Sequence, residues 1–171
     1  MINLDNCVTR FAHTAEVIAH LLKDVSPEQA RWRPSPDAWS ILEVINHLYD
    51  EEREDFRQRL EILLYQPEAE MPPIDPQGWV TSRQYNEREA AASLANFLQE
   101  RQQSLDWLRG LLEPDWESGV MAPNGRKFRA GEMLCSWLAH DFLHIRQLNE
   151  LHYAYWQQTA DPYDVTYAGD W

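Results

Sequence analysis

Apolar residues recur along most of this chain at alternating steps of three and four. Leu4, Val8, Phe11, Ala15, Ile18 and Leu22 form the first such stripe. A stripe of that period covers one face of an α-helix, and Val25-Ser26-Pro27 ends it. Ser40-Ile41-Leu42-Glu43 reads as a capping box, with Trp39 and Val44 flanking it as a hydrophobic staple. A second helix is therefore predicted over residues 40–65, on Ile41, Ile45, Leu48, Phe56, Leu60 and Leu63. The third runs from Ser82 to Leu112 on Leu94, Leu98, Leu105, Leu108 and Leu112, stopped by Pro114. The fourth runs from Ala130 to Tyr155 on Leu134, Trp137, Leu138, Ile145, Leu148 and Leu151.

The segments between are connections. Pro34, Pro36 and Asp37 mark one, and Pro67, Pro72, Pro73, Pro76 and Gly78 mark another. Residues 114–129 read as irregular, with a turn at Pro123-Asn124-Gly125 that suits a small hairpin. Four long helices without long strands predict an all-α four-helix bundle in one domain, residues 1–171. Its core spans residues 3–157, and the Pro, Tyr and Trp residues of the 158–171 tail are expected to pack on it. The links are long enough for crossovers, so periodicity leaves the order of the helices open.

Composition narrows the partners. The net charge is −13, from 28 acidic and 15 basic side chains, which disfavours nucleic acid and anionic membrane. No apolar run approaches the ~20 residues of a membrane-spanning helix, and residues 1–6 lack a basic-then-apolar leader, so a cytoplasmic location is expected. Cys7 and Cys135 make no disulfide framework and both read as core thiols. Eight Trp residues supply large buried area; aromatics left over would favour a homodimer.

Chemistry concentrates on histidine. His140 and His144 lie one helical turn apart in Ala139-His140-Asp141-Phe142-Leu143-His144, so both imidazoles project from one face. His144 falls on the apolar stripe of its helix and points inward. His47, on the apolar face of the second helix, completes a three-nitrogen set. Three imidazoles with an open position form the pattern of a catalytic metal site, whereas structural zinc sites close with four ligands. Glu43, Asp50 and Glu51 stand at i−4, i+3 and i+4 from His47 and are candidates for base, further ligand or orienting group. Against that, they border the run Asp50-Glu51-Glu52-Arg53-Glu54-Asp55, whose simpler reading is a solvated acidic face. Asp141 is a candidate orienting group beside His140, and Arg146 a candidate anchor for a carboxylate. His13 and His20 lie two turns apart, roughly 10 Å along a helix axis, too far to share an ion, and read as solvated. His152 is equally distant from His144.

Two segments together resemble the DinB-like superfamily, which includes YfiT-type proteins. They are Trp39-Ser40-Ile41-Leu42-Glu43-Val44-Ile45-Asn46-His47-Leu48, and Gly131-Glu132-Met133-Leu134 followed by His140-Asp141-Phe142-Leu143-His144-Ile145-Arg146-Gln147-Leu148. The resemblance implies an up-down-down-up bundle and a divalent metal, Zn, Ni or Fe, on three histidines that match His47, His140 and His144. It also implies enzymes acting on small molecules. Some relatives use low-molecular-weight thiols such as glutathione, bacillithiol or mycothiol, so thiol-dependent S-transfer is the leading expectation. Metal-dependent hydrolysis is the alternative, and a non-catalytic, stress-related metal-binding protein the third reading.

Overall fold

The computed structural model describes residues 2–66, 68–121 and 125–169. Helix α1 spans Leu4–Leu22, with the Asn3 side chain accepting from the Asn6 amide at its start. A one-turn helix α2, Pro27–Arg31, begins on the Ser26 cap inside the segment read as a plain connection. Helix α3, Ile41–Glu51, opens on the expected capping box, in which Ser40 and Glu43 satisfy each other's backbone amides.

The second long helix is not regular. A π-helical turn, Glu52–Phe56, separates α3 from α4, Arg57–Tyr65. The crossover that follows holds α5, Pro76–Ser82, capped by Asp75, and a 3-10 turn at Tyr85–Glu87. The third long helix, α6, therefore starts at Ala90 and not near Ser82, and runs to Arg109. Strands β1, Gly119–Met121, and β2, Lys127–Arg129, pair antiparallel as the expected small hairpin. Of its predicted turn, Pro123 and Asn124 lie outside the described residues, while Gly125 takes the positive φ of 79° that glycine tolerates. Helix α7, Ala130–Thr159, completes the bundle. No described helix is long and apolar enough to cross a membrane.

Cross-helix contacts give the helix directions. Phe11 meets Trp137 and Leu21 meets His152, so α1 and α7 run parallel. Phe56 packs on Trp137 while His47 lies near His144, so α3–α4 runs against α7. Asn46 binds Ser93 and Arg57 binds Ser104, so α6 runs with α3–α4. The result is up-down-down-up. Two parallel neighbours cannot be joined by a tight turn, and a long crossover that includes α5 separates α4 from α6.

The core has two apolar halves. Phe11, Phe56, Leu60, Leu63, Leu105, Leu108 and Leu134 fill one. Ile18, Leu42, Ile45, Leu48, Phe97 and Leu148 fill the other. Between them lies a buried polar layer. Arg101, 2% exposed, forks onto Glu52 and Asp141, with Thr14 and Trp137 donating to the same carboxylates.

In the described part of the tail Tyr163 and Tyr167 are exposed and the hydrogen bonds are local, while Trp171, on which the packing expectation also rested, lies outside the described residues. Cys135 is exposed, so the core-thiol reading fails there, while Cys7 is half-buried and packs against the first apolar cluster.

Candidate metal centre

His47 sits mid-α3, and His140 and His144 sit one turn apart on α7. The antiparallel crossing of these helices brings all three imidazoles together. His47 Nε2 lies 3.3 Å from His140 Nε2, which lies 3.0 Å from His144 Nε2. One ligand atom from each ring falls within 4.8 Å of every other. Three ring nitrogens this close can ligate a single cation together.

The rings are held neutral. Burial, then the neighbouring His144 and His140, pushes His47 down to about 2. Burial, then His144, pushes His140 down to about 3, and burial also lowers His144. The tautomer of His144 is set by Gln147, whose Oε1 lies 2.8 Å from Nδ1 and can only accept. Nε2 of His144 is therefore left unprotonated and turned toward the other two rings, the usual logic of a ligating histidine. His47 Nδ1 is buried without a partner among the described residues. Trp39 packs over His47 at 4.9 Å and stacks at 6.5 Å from His144, and Phe56 closes on His140 at 4.9 Å. The donor set, its convergence and its fixed tautomer fit a divalent ion with room for further ligands.

That room is a cavity of about 760 Å³ opening from the triad. Its wall includes Trp39, Glu51, Gln77 and Gln147.

The structure sorts the candidate carboxylates. Glu43 is consumed by its cap and by Arg33. Asp50 receives Arg53, Arg83 and the Tyr85 hydroxyl. Asp141 turns away from the histidines into the Arg101 layer. Arg146 is exposed and reaches Glu150 at 3.3 Å, outside the cavity wall. Glu51 alone of the candidate acids lines the cavity with the triad. It is 4% exposed, its carboxyl shares a hydrogen bond with that of Asp55, and its Oε1 finds no donor among the described residues. The solvated-face reading of this run is thus wrong: Asp50, Glu51, Glu52 and Asp55 are all buried.

The remaining histidines stay apart. His13 and His20 are exposed. His152 is spent on Leu21 O and the Gln29 amide. Sequence reasoning missed Gln147 and the Trp39 ring, although the i+3 offset of Gln147 from His144 was there to be used.

The DinB superfamily model matches residues 10–148. This chain belongs to the DinB superfamily. Among solved structures it is similar to YfiT from Bacillus subtilis, described as a probable metal-dependent hydrolase with an unusual four-helix bundle topology. The match has a TM-score of 0.76 at 17% identity and covers 88% of each chain. At that identity the likeness establishes the shared bundle. A search of curated proteins gives no match.

Glu51 yields a pH prediction for the metal-free protein. Burial first, then Asp55, pushes its carboxyl up to about 8, so between 4.5 and 8 the folded chain holds a proton that the unfolded chain has released. That contribution to stability is complete below the unfolded value and is lost as pH rises through about 8. In chelator, the melting temperature of Glu51→Gln should gain on that of wild type between pH 6 and pH 9. Parallel melting curves across that range would show that Glu51 is not so perturbed.

Proposed function

We propose that this chain is a metal-dependent hydrolase of small molecules, with His47, His140 and His144 as the metal ligands and Glu51 as the base. The single observation that carries the reading is Glu51. It is a buried carboxyl on the wall of the histidine cavity, and its Oε1 finds no donor among the described residues. A divalent ion on three imidazoles supplies a Lewis acid and lowers the pKa of water.

The protein's own groups supply the rest. Glu51, which burial and Asp55 otherwise hold protonated, is favoured in its ionised form by a cation on the triad, and the carboxylate can then take a proton from the attacking water and return it to the leaving group. Gln147 keeps Nε2 of His144 available by holding its Nδ1 proton. Trp39 and Phe56 exclude water from the backs of the rings and strengthen electrostatics at the front.

Thiol-dependent S-transfer fits the same centre less well. Thiols such as glutathione carry carboxylates, and no Lys or Arg stands among the described residues lining the cavity. Arg146, the expected anchor, is directed at Glu150 instead.

The test is a panel of activated esters and anilides with the Zn-, Mn-, Ni- and Co-loaded protein. Turnover should require metal, and Glu51→Gln should lower kcat by roughly 10²–10⁴-fold with metal affinity retained. If none is hydrolysed, while a thiol adds a sulfur-to-cobalt charge-transfer band to the Co form, S-transfer replaces hydrolysis.

A further inference from the structure

The charge of the cavity selects among substrates. Three carboxylates line it: Glu51 at depth, and Asp37 and Glu150 nearer solvent. Among the described residues the guanidinium ion-paired with any of the three is that of Arg146, 3.3 Å from Glu150, in a pair whose side chains are 69% and 44% exposed. Pairs that open to water neutralise each other weakly and are worth little. Arg33, the cation nearest Asp37 in sequence, is turned onto Glu43. The chain as a whole adds to the field with its net charge of −13. Acidic side chains on a surface are ordinary by themselves. Here they share a wall with a buried Glu51 oxygen that finds no donor among the described residues, and with a triad whose ring nitrogens converge. The wall is therefore built to receive a ligand, and its outer part is built to repel anions.

We infer that the substrate carries a positive charge, an ammonium or quaternary ammonium group, held near Asp37 and Glu150 while its reacting carbonyl faces the histidines. The second half of that statement rests on the hydrolase reading; the first half does not. Asp37 comes from the segment ahead of α3 and Glu150 from α7, so the two carboxylates approach the cavity from different elements. An ammonium placed near them gains attraction from both. A carboxylate-bearing ligand meets the same two charges with the opposite sign. Trp39, on the same wall, adds an apolar surface for the body of the substrate.

Choline and its uncharged carbon isostere, 3,3-dimethylbutan-1-ol, test this by calorimetry on both chelated and Zn-loaded protein at low salt. Choline should bind about tenfold more tightly than the isostere, and the preference should collapse in ~0.5 M salt, where screening shortens to a few ångströms. The double variant Asp37→Asn/Glu150→Gln should bring the two ligands to near parity without changing the affinity for the isostere. Arg146→Ala should move choline the other way, to tighter binding, because it unpairs Glu150. Equal affinities for the two ligands in wild type would overturn the inference, as would weaker choline binding by Arg146→Ala. A choline preference without hydrolysis of any ester would overturn the proposed reaction and leave the charge selectivity standing. Hydrolysis that depends on Glu51 with no choline preference would do the reverse.

Discussion

His140→Ala should bind zinc or cobalt at least about 100-fold more weakly than wild type, beyond the 10–100-fold typical of losing an outer-shell partner. His140 is the middle ring of the three, 3.3 Å from His47 and 3.0 Å from His144 by their Nε2 atoms. Its removal leaves two ligands on different helices with nothing between them. Gln147→Ala should cost about tenfold, because His144 keeps its nitrogen and loses only the acceptor that fixes its tautomer. His13→Ala and His20→Ala, on the exposed side of α1, should change nothing. All four variants should keep helical circular dichroism, since the two apolar clusters are formed without the imidazoles. Chelation of wild type should lower the melting temperature only by the mass-action contribution of the bound ion. Equal metal content in His140→Ala, His13→Ala and His20→Ala by elemental analysis would sink the assignment. Loss of helix on chelation would show that the ion builds the fold instead of occupying it.

The triad was legible because its geometry is local. The i, i+4 spacing places two rings on one face whatever the rest of the chain does. His47 needed the bundle to bring α3 against α7, and an apolar stripe on each helix implied that contact. The acidic run was misread for a physical reason. In Asp50-Glu51-Glu52-Arg53-Glu54-Asp55 the charges outnumber everything else, and charges in sequence signal solvent. Some of the compensating cations are local, Arg53 for Asp50 and Arg59 for Asp55, but others come from far along the chain: Arg83 for Asp50 and Glu54, and Arg101 for Glu52. No local pattern announces pairings of that range.

The helix periods gave α1 and α7 nearly residue by residue, and failed where the backbone departs from a regular α-helix. Leu48, Glu52, Phe56 and Leu60 all face inward at successive steps of four. On a regular helix three such steps drift by about 120°, which would carry Leu60 out of the core. The π turn at Glu52–Phe56 absorbs the drift, and π turns of this kind are frequent beside functional sites. Here it keeps Glu51, Glu52 and Phe56 on the inner face, toward the cavity, the polar layer and His140 respectively. The run of fours was visible in the sequence. Its meaning was not, because Glu52 has to be counted as an inward residue before the run appears.

Arg101→Met should be the most destabilising single change away from the histidines. The guanidinium binds Glu52 at 2.7 and 2.8 Å and Asp141 at 2.6 and 2.8 Å, and donates to Phe11 O at 3.2 Å. It is 2% exposed and lies between the Phe11 and Phe97 rings, at 5.0 and 5.2 Å. Methionine fills similar volume and supplies no charge, so two buried carboxylates face each other across the place of their shared cation. Breaking a buried pair from one side costs about 3–5 kcal/mol, a large part of the roughly 5–15 kcal/mol that holds an ordinary domain together. Arg101→Lys should also be costly, since one ammonium cannot serve both carboxylates with paired bonds. The triple variant Arg101→Met/Glu52→Gln/Asp141→Asn should recover much of the loss, because what destabilises the single variant is unpaired charge and not missing packing. Urea unfolding in chelator separates these outcomes from any effect of metal. The layer ties α1, α6, α7 and the π turn at one level, and Asp141 adjoins His140, so metal affinity should fall in the single variant and return with the triple. A single variant within about 1 kcal/mol of wild type would show that water or rearrangement satisfies Glu52 and Asp141, and that the layer does not set the register of α7.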